Sequence, residues 1–203
     1  MTQASGDEPL LDFLDVMRRL RRECPWKRGQ THRTLVRYLL EEAHETVEAI
    51  ETGAPDDLRE ELGDLLLQVY FHAVVAEEAG DFTLDDVARG ITEKMVRRNP
   101  HVFGPDAGAD APSDAEAVNE LWESVKAAEK QRDDVTEGIA PALPALLYAD
   151  KVLDRLGRAA GAPVVPPGGD GVGDRLLALV AEARADGVDP EQELRDAVRR
   201  LLG

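Results

Sequence analysis

Residues 65–76 read LLLQVYFHAVVA, and the fold turns on how this run is taken. It is apolar almost all round, and the segment containing it, from about residue 57 to 79, is predicted to be a helix buried on most of its circumference. Such a helix sits inside a bundle or against a second subunit. The chain around it fits that reading. Aromatic residues make up only 4% of the 203 residues, and Ala, Leu, Glu, Arg and Val dominate, a composition that favours helices over sheets. An all-α protein is expected.

Upstream, TGAPDD (52–57) is a turn in which Asp56 or Asp57 is placed to cap the buried helix. Before it, Thr31 is a candidate N-cap for a helix running to about Glu51, with Val36, Leu39, Leu40, Ala43, Val47 and Ile50 as its apolar stripe. An earlier amphipathic helix spans 10–22, interrupted by Pro25 and Gly29 in ECPWKRGQTH (23–32). Downstream, AGDFT ends the buried helix, and 83–98 reads as another helix stopped before Asn99 and Pro100. GPDAGADAPSD (104–114) is a linker, AEAVNELWESVKAAEKQR (115–132) a charged helix, and 137–159 a Pro-marked turn leading into a helix. The segment GAPVVPPGGDGVG (161–173) is the clearest boundary. The predicted organisation is a main helical domain over 1–126, a connecting helical segment over 127–161, and a linker with a final hairpin over 162–203.

That final hairpin reads as a degenerate half-copy of an earlier one. Aligning ELGDLLLQVYFHA at 61 with GVGDRLLALVAEA at 171 puts Gly173 and Asp174 on Gly63 and Asp64, and both copies turn at a glycine, Gly80 and Gly187. Gly171 stands where Glu61 does, and nothing before it matches the glutamate-rich helix.

The net charge of −17 argues against nonspecific nucleic-acid binding and against docking on anionic membranes. An anionic substrate therefore needs a local basic patch or a metal ion. The lone Cys24 forms no intrachain disulfide, no apolar run approaches a membrane span, and the start lacks a signal-peptide pattern, so a cytoplasmic location is expected.

The acids supply the chemistry. In LLEEAHETVEAIE (39–51), Glu42 and Glu45 share a helix face with Glu41 beside them, on the side predicted to lie opposite the apolar stripe. Glu48 and Glu51 read as solvated. On the buried helix, Glu61, Asp64 and Gln68 form a narrow polar stripe with no Lys or Arg on it. Carboxylates facing one another there repel unless a divalent ion sits between them, and oxygen-only ligands suit Mg²⁺ or Mn²⁺ rather than Zn²⁺. Lys94, Arg97 and Arg98 are basic groups for a substrate's phosphates, or cations that complement a helix C-terminus.

Five blocks in order, CPWKRGQTH, YLLEEAHETVEAI, LREELGDLLLQVYFHA, RRNPHVF and LWESVKAAEK, resemble the MazG family of nucleoside triphosphate pyrophosphohydrolases over roughly residues 10 to 160. The resemblance implies an all-α fold whose helical bundles are completed by dimerisation, and Mg²⁺-dependent hydrolysis of (deoxy)nucleoside triphosphates to monophosphate and pyrophosphate in nucleotide-pool housecleaning. It implies Glu42, Glu45, Glu61 and Asp64 as metal ligands, with Glu41 beside them as the general base. It implies Lys94, Arg97 and Arg98 as phosphate contacts, and Trp122 and Lys126 as groups near the nucleotide. Lys27 departs from the Asp usual after CPW, and the C-terminal half-copy keeps one acid, Asp174. The competing reading is a non-catalytic helical module that binds nucleotide, metal or a partner protein. The remaining single residues carry no assigned chemistry: Cys24 is an inert small residue, Trp26 a core or loop anchor, Phe103 a docking group, and His32, His44, His72 and His101 show no paired spacing.

Overall fold

The computed structural model describes residues 8–104, 114–129 and 134–203, and it is all-helical, with no strand among the described residues. In chain order the helices are α1 (Pro9–Glu23), α2 (Pro25–Arg28), α3 (His32–Thr52), α4 (Pro55–Ala79), α5 (Leu84–Arg98), α6 (Pro100–Phe103), α7 (Ala115–Glu129), α8 (Ala145–Ala160), α9 (Val172–Ala185) and α10 (Pro190–Leu202). They divide into two compact units, Met1–Trp122 and Glu123–Gly203.

In the first unit α3 and α4 form an antiparallel hairpin. Thr31 caps α3, accepting from the Thr34 amide in a reciprocal capping box. The helix ends at Gly53, whose φ of 73° is left-handed backbone that favours glycine. The chain then re-enters a helix at Pro55, a residue suited to the first helical position because it has no N–H to leave unpaired. Asp56 and Asp57 consequently lie inside the first turn of α4 and complement its dipole; the N-cap is Ala54, which corrects the expectation that an aspartate caps this helix.

The core forms where α1 crosses this hairpin. Leu14 and Met17 of α1, Leu35 of α3, and Tyr70, Phe71 and Val74 of α4 are buried together. The Phe13 and Tyr70 rings stand 4.8 Å apart, and the Tyr70 hydroxyl donates to the Leu10 carbonyl at 3.1 Å. Each large apolar side chain so buried is worth about 1.5–3 kcal/mol. The run that decided the fold behaves as its composition demands: Tyr70, Phe71, Ala73, Val74 and Ala76 are buried, and Val69 on the remaining flank is open.

The face α3 turns inward differs from the expected one. Leu35, Thr46 and Ala49 are buried against α4, whereas Val36, Leu40, Val47 and Ile50 of the apolar stripe are 36–59% exposed. Glu42 lies on the inward face, in angular register with Leu35 and Thr46, rather than opposite the buried side. Two further expectations give way. Trp26 is 52% exposed, which removes the core alternative of its reading though its ring still meets Tyr38, and Phe103, 58% exposed, is not a docking group within this unit.

The second unit packs α8, α9 and α10 around Leu153 and Val180. Arg184 of α9 is held by Asp150 at 2.9 Å and by Asp154, both on α8. Its α9–α10 hairpin turns through Gly187 at φ 72°, as α4–α5 turns through Gly80 at φ 77°, but α9 has 14 residues against 25 in α4. Most of the linker expected at 104–114 lies outside the described residues.

Candidate active site

The acids of α3 and α4 meet because the hairpin is antiparallel. Thr46 ties the two helices at this level, its hydroxyl donating to the Glu42 carbonyl of its own helix at 2.7 Å and lying 3.4 Å from the Glu61 carbonyl across the gap. One carboxylate oxygen from each of Glu42, Glu45 and Glu61 lies within 4.8 Å of the other two. Asp64, one turn along α4 from Glu61, is near enough for its charge to act on both Glu42 and Glu61, and Glu41 acts on Glu42. Among the described residues none of these five acids is ion-paired.

Crowding shows in their protonation. Partial burial, then the charges of Asp64, Glu45, Glu41 and Glu61, hold the Glu42 carboxyl above the ordinary glutamate range. Glu61 is likewise raised, by desolvation and then by Glu45, Asp64, Glu60 and Asp57. Gln68, one turn beyond Asp64, is 4% exposed; its amide nitrogen is 3.5 Å from a Glu42 oxygen, and its own Oε1 has no partner. A buried, unsatisfied carbonyl beside a half-buried acid cluster is costly as it stands, and the cost falls once a donor or a cation enters the site.

The basic and aromatic groups are placed as follows. Arg98, at the end of α5, is 8% exposed with its guanidinium 5.5 Å from the centre of the Trp122 ring. Lys94 is half-buried and Arg97 exposed on the same helix. Lys126 falls in the second unit, paired with Glu123 of its own helix at 2.8 Å.

Three features were invisible at the sequence level. His32 and His72, 40 residues apart, stack with ring centres 5.1 Å apart and Nδ1 atoms 2.7 Å apart, so one imidazole must donate to the other's lone pair. Burial, then the neighbouring His32, lowers the His72 pKa. Arg21, 7% exposed, grips Glu78 through Nε at 3.0 Å and donates Nη1 to the carbonyls of Lys27 and Gln30. Gln68 is the third: its place on the polar stripe was readable, its burial beside Glu42 was not.

Comparison with known proteins gives this arrangement a context. Residues 30–103, which hold the whole acid cluster, match the MazG nucleotide pyrophosphohydrolase domain. Over 96% of this chain and 83% of the relative, the sequence is 50% identical to an uncharacterised 26.1 kDa protein of Streptomyces cacaoi. It is 36% identical to the nucleoside triphosphate pyrophosphohydrolase/pyrophosphatase MazG of Thermotoga maritima, over 94% of this chain and 82% of that protein. It is 41% identical to the nucleoside triphosphate pyrophosphohydrolase of Mycobacterium tuberculosis, of whose length it spans 55%. With a pyrophosphohydrolase relative at this identity matched over most of both lengths, the chain belongs to the MazG nucleotide pyrophosphohydrolase family.

Proposed function

We propose that the chain hydrolyses nucleoside triphosphates to the monophosphate and pyrophosphate. The observation that carries this reading is the convergence of Glu42, Glu45 and Glu61 within 4.8 Å on the inward faces of α3 and α4, with no cation paired to them among the described residues. Such a donor set fits a hard divalent cation, because it is all carboxylate and because ionising it without a counter-charge is unfavourable, as the raised Glu42 and Glu61 attest. Glu42, Glu45, Glu61 and Asp64 would hold Mg²⁺, or Mn²⁺ in its place. When bound, the ion supplies charge neutralisation for the triphosphate and for the leaving group.

The chain's own residues do the rest. Glu41, exposed beside the cluster, takes the proton of the attacking water on a carboxylate oxygen. The water oxygen bonds to the α-phosphorus, the bond from that phosphorus to the α–β bridging oxygen breaks, and pyrophosphate departs with the electron pair. Lys94, Arg97 and Arg98 meet the phosphates, with Trp122 near the nucleotide, in keeping with the family resemblance. Gln68 donates toward Glu42 and keeps its carboxylate aimed at the cluster.

We also propose that two copies associate through the open stripe of α3. Val36, Leu40, Val47 and Ile50 are too many large apolar groups on one face to stay wet, and a second copy would close the bundle. The α9–α10 hairpin is then a half-copy of α4–α5 that keeps only Asp174 of the site acids, so the chemistry stays within the first 126 residues. A cytoplasmic enzyme that cleanses the nucleotide pool, without nucleic acid or membrane as partner, fits the acidic chain, and no helix among the described residues is long and apolar enough to cross a membrane. Product analysis tests the reading: with Mg²⁺ and a nucleoside triphosphate, monophosphate and pyrophosphate should form in equal amounts, and diphosphate with orthophosphate would overturn it.

A further inference from the structure

The CPWKRGQTH block, which contains α2, takes no part in the chemistry above, yet side chains hold its backbone at several points. Arg21 clamps it from behind, with Glu78 on one side of the guanidinium and the carbonyls of Lys27 and Gln30 on the other. Gln30 adds a bond from its amide to the Trp26 carbonyl at 3.1 Å. The backbone is therefore fixed by a buried cation and does not need the Trp26 side chain, which is left 52% exposed.

What surrounds that indole is specific. The Tyr38 ring meets it edge-on, with centres 5.9 Å apart and planes at 76°. The Lys27 ammonium lies 5.5 Å from the indole centre and 5.2 Å from the Phe71 ring centre, so it sits between the two rings and covers one side of the indole. Arg37 adds a guanidinium 5.0 Å from the Tyr38 ring. Tyr38 is also four residues before Glu42 on α3, which puts the two on one helix face about one turn, roughly 6 Å, apart. Helical side chains lean toward the N-terminus, so Tyr38 leans from the acids toward Trp26. A single surface thus runs from the carboxylates by way of Tyr38 to a half-exposed indole that carries the Lys27 ammonium on one side.

We propose that Trp26, backed by Tyr38 and Lys27, is the stacking surface for the nucleobase of the substrate, and that it sets affinity for the nucleoside as distinct from the triphosphate. The proposal rests on the reading of the acid cluster as the triphosphate end. Pre-fixed aromatic faces bind bases through stacking that tolerates base identity, and here the surface costs no ordering on binding because Arg21 has already fixed the loop.

The test compares two ligands on the full chain with Mg²⁺: a non-hydrolysable nucleoside triphosphate analogue and inorganic tripolyphosphate, each titrated calorimetrically. Trp26→Leu keeps apolar bulk without a π face. It should weaken the nucleotide analogue by about 5- to 140-fold, the range one stacked base supplies, and leave tripolyphosphate within about two-fold. Trp26→Phe, which keeps a ring, should recover most of the loss, and it serves as the second variant if the leucine form unfolds. Nucleotide binding within two-fold of the unaltered chain in Trp26→Leu, or equal weakening of both ligands, overturns the proposal. Failure of the catalytic reading shows separately, as absence of pyrophosphate release by the unaltered chain.

Discussion

At the scale of single residues, the acid cluster trades stability for chemistry. Glu42 and Glu61 are raised above ordinary glutamate values, so the folded state binds their protons more tightly than the unfolded state does. The sign follows: without metal, these two groups favour the fold most when protonated, and their contribution declines as pH rises from the ordinary range near 4.3 through their raised folded values. Glu42→Gln should therefore raise the thermal midpoint of the metal-free protein at pH 7.5, with the gain shrinking toward pH 4. The same variant should lose most of the stabilisation that added Mg²⁺ confers and should not turn over. Thermal melts with and without Mg²⁺ across pH check this; a lower midpoint than the unaltered chain at pH 7.5 would contradict the crowding. Arg21 is the opposite kind of residue. Arg21→Ala strands the Glu78 carboxylate and two loop carbonyls, and should cost about 2–3 kcal/mol in denaturant unfolding.

At the scale of elements, most of the helices could be read from sequence because their punctuation is local. Thr31 as a cap, and Gly80 and Gly187 as turns, act within a few residues and appear in the structure where the sequence puts them. Thr31→Ala, which removes the capping box of α3, should cost about 1 kcal/mol in the same unfolding measurement. The inward face of α3 was not legible. Its periodicity marks Val36, Leu40, Val47 and Ile50 as wanting burial, but periodicity cannot say what buries them, and within one chain α4 takes the Leu35, Thr46 and Ala49 side. That is why Glu42 came out facing α4 and not turned away from the packed side. The Asp56 and Asp57 caps failed for a smaller reason: Pro55 can open the helix one residue before them. The His32–His72 stack and the Arg21–Glu78 pair join positions 40 and 57 apart, distances at which no spacing rule operates.

At the scale of the whole molecule, the open α3 stripe and the acid cluster belong to one account. In the proposed assembly, the apolar stripe that the hairpin leaves exposed beside its inward carboxylates is covered by a second copy. Leu40→Glu with Val47→Glu should give a lighter species in sedimentation equilibrium while far-ultraviolet circular dichroism stays helical; an unchanged mass would rule out this face as the interface. The convergence of Glu42, Glu45 and Glu61 was legible as acids at helical spacing on two successive helices, whereas the face of α3 that turns Glu42 inward was not. The site's surroundings, Gln68 buried at Glu42 and the clamped Trp26 loop, needed three dimensions. The central claim is water attack at the α-phosphorus, and hydrolysis in ¹⁸O-labelled water tests it most directly. Mass spectrometry should find the label in the nucleoside monophosphate and none in pyrophosphate; label in pyrophosphate would contradict the account.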